Sequence, residues 1–372
     1  MIVLLWALVA IWGVGLLFAI LNASLLPRLP PERVGEDLPS LTVVIPARDE
    51  EVGIEAAVLS HCTQEYPGLQ VVVVDDGSSD RTPEILAELS ARCSNLEVLR
   101  CDGPPPGWLG KPNALQRGLE RAGGDYVLFA DADVRYAPGA HARAMDLTAR
   151  AGLDMLVLLP HQTGRGGALL MVSLLDAILL YGVPSFLYNV PSFKRLALGC
   201  GAGNLVRRAA FEAAGGFGAL RGEVVEDIAM GLAMKAFAGR YRAVLARDAV
   251  AVQMYPDLRG ALEGFSKNLY AFVGFNPLRA AIGTLSGWLI HLLPPAVLLA
   301  APWVPASFLL PAAVAAGLEL ILDAAMCLWA GYPLWVAPLY PVRAVLWNVA
   351  MALSAWRYRT RGVVWRGRTY RP

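Results

Sequence analysis

Three carboxylate pairs in this 372-residue chain stand where chemistry could be done: Asp75–Asp76, Asp131 with Asp133, and Glu226–Asp227. Asp131 and Asp133 occupy alternate positions just past an apolar run, so both can aim at one ligand. Their mutual repulsion makes such a pair costly without a cation nearby. Hard oxygen donors favour Mg²⁺ or Mn²⁺, shared with substrate phosphates. Glu226 and Asp227 precede Ile228-Ala-Met-Gly-Leu-Ala-Met, which reads as a helix. An acid there is favoured by the helix dipole whether or not it also does chemistry. Asp80, in the turn Gly77-Ser-Ser-Asp80, reads equally as a turn former or cap.

The elements that must position these groups alternate. Leu41–Pro46, Leu69–Asp75, Leu96–Arg100 and Asp125–Ala130 are short runs rich in β-branched and aliphatic residues, as buried parallel strands require. Between them, 50–64, 82–89 and 113–122 carry helical spacing, with Pro83 suited to a first helical turn. This βαβαβαβ order predicts an α/β fold with a parallel sheet and ligands at the carboxyl ends of its strands.

Composition excludes an ordinary soluble protein, with 56% hydrophobic and 17% charged residues, against about 25% charged in a typical soluble domain. A formal net charge of +1 predicts no polyanion partner, and hence no nucleic acid. Residues 1–27 are uncharged, 28–279 carry a net −4, and 280–372 a net +5. Five cysteines without a C-x-x-C pair, and histidines without ligand spacing, fit a reducing compartment rather than disulfides or zinc.

Residues 1–27 read as a retained transmembrane anchor. Arg28 and Arg33 follow it, which places the N-terminus outside and 28–279 in the cytoplasm. Two spans are expected near 282–303 and 306–330. The stretch 334–356 contains Pro338, Pro341 and Arg343, and the tail 357–372 is Arg-rich and acid-free. A cytoplasmic tail then makes 334–356 interfacial or re-entrant, with a true third span as the alternative.

The ordered motifs resemble glycosyltransferase family 2, inverting enzymes of the GT-A fold that use nucleotide sugars. Val43–Glu50 is similar to the family's opening strand and loop, Val74–Asp80 to its nucleotide turn, and Gly110–Leu115 to its G-K-x-x-A-L helix start. Asp131-Ala-Asp133 is similar to the D-x-D, Gly201–Asn204 to the acceptor-side loop, and Val225-Glu-Asp227 to the motif that supplies the base. The resemblance implies Pro46, Arg48, Glu50, Asp76, Lys111 and Asp131 on the donor side, with Asp76 facing the base of a UDP-type donor. It implies Asp133 on Mg²⁺ or Mn²⁺ and Asp227 as general base. Trp108, Gly203, Asn204, Glu226 and Lys267 fall on the acceptor side.

Pro106–Lys111, Met254–Pro256 and Gly264–Asn268 resemble the branch that glucosylates carotenoid acids, with its hopanoid-associated relatives. Val364–Tyr370 resembles other lipid-glucosylating members. The Q-x-x-R-W run of processive synthases is missing, which favours one transfer of a sugar, glucose by resemblance, to a membrane lipid. The alternatives are a polysaccharide synthase or an inactive scaffold at the bilayer. Finally, Ala168–Val190 is apolar apart from Asp176, yet lies between Asp133 and Asp227, which must share one site. A single crossing would part them, so the stretch must be an interfacial helix, a hairpin or buried core. An interfacial helix suits a bilayer acceptor, with Asp176 and Arg165 toward headgroups or the catalytic domain.

Overall fold

The computed structural model describes residues 1–31, 37–237, 239–360, 363–365 and 368–370. Arg33 and, in the basic tail expected at 357–372, Arg361, Arg366 and Arg371 lie outside the described residues. The chain divides into a sheet unit, Leu26–Gln162 with Leu187–Gln253, and a helical unit, Met1–Leu25 with Thr163–Phe186 and Met254–Pro372. The segment 28–279 expected as one domain therefore contributes to both.

In the sheet unit, seven strands form one sheet: β1 Leu41–Ala47, β2 Gln70–Asp75, β3 Leu96–Arg100, β4 Tyr126–Phe129, β5 Met155–Leu159, β6 Asn204–Arg207 and β7 Tyr241–Leu245. Their spatial order is β3-β2-β1-β4-β6-β5-β7. The first four strands pair in parallel, as the alternating pattern predicts. Val43, Val44, Ile45 and Val71–Val74 are fully buried, consistent with strands covered on both faces.

One strand departs from the all-parallel expectation. β6 runs antiparallel to both β4 and β5, with Asn204 opposite Phe129 and Val157. Reversal brings the start of β6 to the same sheet edge as the end of β4. Gly201–Gly203 thus arrives beside Asp131, whose backbone N–H donates to the Gly201 carbonyl at 2.8 Å. The helix Glu226–Phe237 follows, with Glu226 and Asp227 in its first turn.

The helical unit contains Ile2–Leu25, Ala168–Ala177 continued by a π-turn at Ile178–Gly182, Leu258–Phe272, Pro277–His291, Leu293–Leu299, Ala306–Ala330 and Tyr340–Thr360. Three of its helices are long and apolar enough to cross a membrane: Ile2–Leu25, Ala306–Ala330 and Leu334–Thr360. Pro277–His291 and Leu293–Leu299, bent by 40°, would make a fourth span if taken as one. Prolines do not break the 334–360 rod because Pro338 sits in its 3₁₀ opening turns and Pro341 in the first α-turn. The missing N–H of Pro341 has no intrahelical partner to lose, and Pro338 falls in the 3₁₀ segment before the α-helix begins.

Ala168–Gly182 is largely buried within this unit, packed in clusters with Trp12, Leu322 and Met326 and with Phe265 and Met351. Asp176, expected toward headgroups or the catalytic domain, is buried and accepts from the Tyr332 hydroxyl at 2.6 Å. The end of the helix is tied by Asn22, whose amide donates to the Leu180 and Val183 carbonyls at 2.8 Å and accepts from Phe186 N–H at 2.8 Å. A buried Arg343–Asp323 pair also engages Ser173 and Tyr181. These bonds satisfy polar groups that would otherwise be expensive in an apolar interior.

Candidate active site

The sheet edge begins with two interlocked turns. Arg48 donates to the backbone carbonyl of Asp76, and Asp76 N–H donates to Ala47 at 2.8 Å. Asp49 adopts a left-handed backbone (φ 52°), a conformation that a short polar side chain tolerates better than most. It accepts from Ser79 N–H at 2.7 Å, while its own N–H donates to the Ser78 hydroxyl at 2.9 Å. Glu50 N–H donates to Thr82 Oγ1 at 2.8 Å. Asp80 accepts from Thr82 and Glu51 N–H at 2.9 and 3.0 Å, the contacts of a turn former, while Arg81 takes the N-cap position of the helix Thr82–Arg92. Asp76 itself is buried at this edge, and Pro46 lies in β1 opposite Val74. Asp49, Ser78 and Ser79 were missed by the sequence reading, although all three lie within the motifs Val43–Glu50 and Val74–Asp80 that it singled out.

The second feature is a charge junction. Lys111, in the first turn of the helix Gly110–Arg121, places Nζ 2.7 Å from Asp131 Oδ1 and 2.7 Å from Glu226 Oε1. It joins the D-x-D after β4 to the acidic start of the helix Glu226–Phe237. Asp227 is held by N–H donation from Gly201 to Oδ2 at 2.9 Å and from Ile228 to Oδ1 at 2.8 Å. Glycine is required at this approach: a Cβ on Gly199 would collide with the Asp227 carbonyl, and one on Gly201 with the Asp131 carboxylate.

Burial pushes the Glu226 carboxyl up to about 7; Lys111 pulls it back, and Asp227 and Asp131 push it up again. Asp227 is also raised above its ordinary value, by burial first and against the opposing pull of Lys111. Burial would lower Lys111, but Asp131 and Glu226 outweigh it and hold the ammonium well above the ordinary lysine range. One ammonium thus faces three carboxylates, an uncompensated negative charge in a partly desolvated place.

That imbalance bears on the expected metal. Among the described residues no three His, Cys, Asp or Glu side chains are grouped as a metal cage. Mg²⁺ and Mn²⁺ do not need one, since such ions bind through one or two carboxylates and complete their shell with waters and substrate phosphates. Asp131, with its excess negative surroundings, and the exposed Asp133 fit a dication shared with a diphosphate.

The loop that leads into β6 is clamped by residues that no motif revealed. Lys235, buried on the helix Glu226–Phe237, donates to the carbonyls of Tyr188 at 2.7 Å and Leu196 at 2.6 Å, with Leu187 at 3.4 Å. The Tyr241 hydroxyl donates to the Leu198 carbonyl at 2.5 Å and accepts from Leu198 N–H at 2.9 Å. Tyr136 donates to Ala202 at 2.6 Å, and Asn204 accepts from Cys200 N–H at 3.0 Å. A lone lysine within the otherwise apolar run Ile228–Phe237 was the one sequence signal of this clamp. Lys235→Met should destabilise the protein by about 1–3 kcal/mol by stranding buried carbonyls. A thermal melt in detergent checks this, and an unchanged midpoint would remove the clamp.

Asp76, Lys111, Asp131, Asp133, Gly203, Asn204, Glu226 and Asp227 all belong to the sheet unit, as do Pro46, Arg48 and Glu50. Trp108 is partly buried in the loop before Lys111, its N–H donating to Pro105 at 3.1 Å, and the next residue, Leu109, donates to Arg221 at 2.9 Å. Lys267 lies on the helix Leu258–Phe272 and belongs to the helical unit.

Comparison with known proteins converges on this edge. The glycosyl transferase family 2 model matches residues 42–215. The β-monoglucosyldiacylglycerol synthase of Trichormus variabilis is 36% identical over 113 residues, 30% of this chain and 24% of that protein. The 4,4'-diaponeurosporenoate glycosyltransferase of Staphylococcus haemolyticus is 34% identical over 113 residues, 30% of this chain and 29% of that protein. The matched segment spans less than a third of these relatives' lengths. A mannosyltransferase from Pyrobaculum calidifontis, solved with GDP-mannose and Mn²⁺, shares the fold with TM-score 0.58 and 22% identity, covering 93% of this chain and 98% of that one. With the mixed sheet and the ordered acidic motifs in agreement, residues 42–215 match the glycosyl transferase family 2 model, and the fold is of GT-A type.

Proposed function

We propose that the chain is a transferase that moves one hexose, glucose by resemblance, from a nucleotide-sugar donor of UDP type to a lipid of the membrane, with inversion at the anomeric carbon. The observation that carries this reading is the Lys111 junction. It sets the donor-side carboxylate Asp131 and the acidic helix start at Glu226 on one ammonium, 2.7 Å from each. Names of relatives support the acceptor class, since one contains diacylglycerol and another a carotenoid acid.

In the reaction an acceptor oxygen forms a bond to the anomeric carbon as the bond from that carbon to the diphosphate oxygen breaks. Asp227 is the proposed base: its two oxygens are fixed by Gly201 and Ile228 N–H, which orients its remaining lone pairs. An acceptor hydroxyl would give its proton to that carboxylate, whereas an already ionised carboxylate acceptor would only be oriented by it. Asp131 and Asp133 would hold Mg²⁺ or Mn²⁺, which supplies Lewis-acid neutralisation of the leaving diphosphate. Lys111 adds a fixed positive charge beside the same group. Asp76, with Arg48 bracing its backbone, would face the nucleotide base, and Pro46 and Glu50 flank it. Trp108, Gly203, Asn204 and Glu226, all of the sheet unit, are assigned to the acceptor side.

The three long apolar helices, with Arg28 after the first and the arginines at the end of the last, support an inner-membrane protein whose sheet unit faces the cytoplasm. Incubating the purified chain with UDP-glucose, Mn²⁺ and lipid extract should yield a singly glucosylated lipid; soluble glucose alone or a long polymer would overturn the reading.

The pH profile supplies a second test. A base must be deprotonated, so kcat/KM should fall about tenfold per pH unit below its pKa. Lys111 lowers the pKa of both Glu226 and Asp227, so Lys111→Met should move the acid limb to higher pH. A limb that stays put or moves down would contradict the assignment.

A further inference from the structure

Within the helical unit, Pro277–His291 and Tyr340–Thr360 run antiparallel, since a Cβ on Gly287 would meet the Asn348 amide at 3.4 Å while Pro277 and Arg359 line one cleft. That cleft has a volume of about 400 Å³, and it exists because small side chains face each other, Ala280 and Ala281 on one helix and Ala352 and Ala355 on the other. It extends from Pro277 to Trp288, about 16 Å at the helical rise of 1.5 Å per residue. A long, narrow, apolar slot of this size suits a hydrocarbon chain better than a compact polar ligand.

Its charge is one-sided. Arg359 lines the cleft at the Pro277 end, and Arg279 stands in the first turn of the opposite helix. Neither helix contains an acidic residue, and among the described residues neither arginine has a carboxylate partner. Both side chains are exposed. A guanidinium with free donors at the mouth of an apolar slot is matched by a phosphate, which it can bind in bidentate fashion.

We propose that this cleft binds one acyl chain of an anionic bilayer phospholipid, with the lipid phosphate on Arg359. The occupant comes from the bilayer because the walls are apolar along their length and charged only at one end. A zwitterionic lipid brings a cation to two unpaired arginines and is disfavoured. The site uses none of the residues assigned to sugar transfer.

The test is native mass spectrometry of the full chain in detergent, titrated with phosphatidylglycerol or phosphatidylcholine. The wild type should retain one phosphatidylglycerol at least tenfold more tightly than phosphatidylcholine. Arg359→Gln should abolish that preference, Arg359→Lys should restore part of it, and Ala352→Trp should fill the slot and expel the lipid. Circular dichroism melts confirm that each variant is folded, and Arg359 is exposed, so its loss leaves no buried gap. Equal retention of the two lipids by the wild type would overturn the proposal. So would undiminished phosphatidylglycerol binding in folded Arg359→Gln and Ala352→Trp. Lipid retention is read without any sugar donor, so a chain inactive in transfer would leave this result unaffected.

Discussion

Asp227→Asn is expected to lower kcat/KM for transfer to a lipid hydroxyl by about 10²–10⁴-fold, the range a positioned general base supplies. Asparagine keeps the shape and can still accept through its one carbonyl oxygen from either Gly201 or Ile228 N–H, but it loses the other bond and cannot take a proton. Affinity for UDP should therefore change little, which separates loss of the base from loss of the fold. The wild-type acid limb should lie above the ordinary aspartate range, because burial raises the Asp227 pKa. Protonation on the acid side removes the base, so activity falls as pH falls, and in the variant this dependence on residue 227 disappears. A variant retaining wild-type kcat/KM on a hydroxyl acceptor would exclude Asp227 from proton transfer. Steady-state rates at several pH values, alongside UDP binding by calorimetry, supply both readouts.

Asp133→Ala should lower kcat by about 10²–10³-fold, the loss typical of removing charge stabilisation aimed at a leaving group. The expected signature is a raised Mn²⁺ requirement, with partial recovery at high metal concentration. Asp131→Ala differs in kind, because Asp131 also holds Lys111 at 2.7 Å and faces Gly201. Removing it frees the ammonium toward Glu226 alone and opens space beside the glycine loop, so metal should rescue it less. Metal-dependent UDP binding checks the pair directly. If chelator leaves UDP affinity and turnover untouched in the wild type, the dication has no part in the reaction.

Much of the sheet unit was legible because its signals are local. Continuous β-branched runs ending in Asp75 and Asp131 mark strands with their carboxylates at the ligand edge, and the observed β1–β4 follow those runs closely. The antiparallel β6 was not legible: Asn204–Arg207 is four residues long and its direction is decided by partners far along the chain. The same limit hid the loop clamp. Lys235 and Tyr241 act on backbone carbonyls, which every residue has, so no pattern of side chains announces them. In the helical unit the apolar segments were plain, but their neighbours were not. Asp176 read as facing headgroups or the catalytic domain because Tyr332, its partner in the helical unit, lies 156 residues away. Pro338 and Pro341 suggested an interrupted stretch; their placement in the opening turns leaves the helix intact.

The most direct test of the central claim is mass spectrometry of the lipids of a host expressing the chain, compared with one expressing Asp227→Ala at equal level. The account predicts a lipid bearing a single hexose in the first host and its loss in the second. Identical lipid profiles in the two hosts, or hexose chains extended beyond one unit, would contradict it.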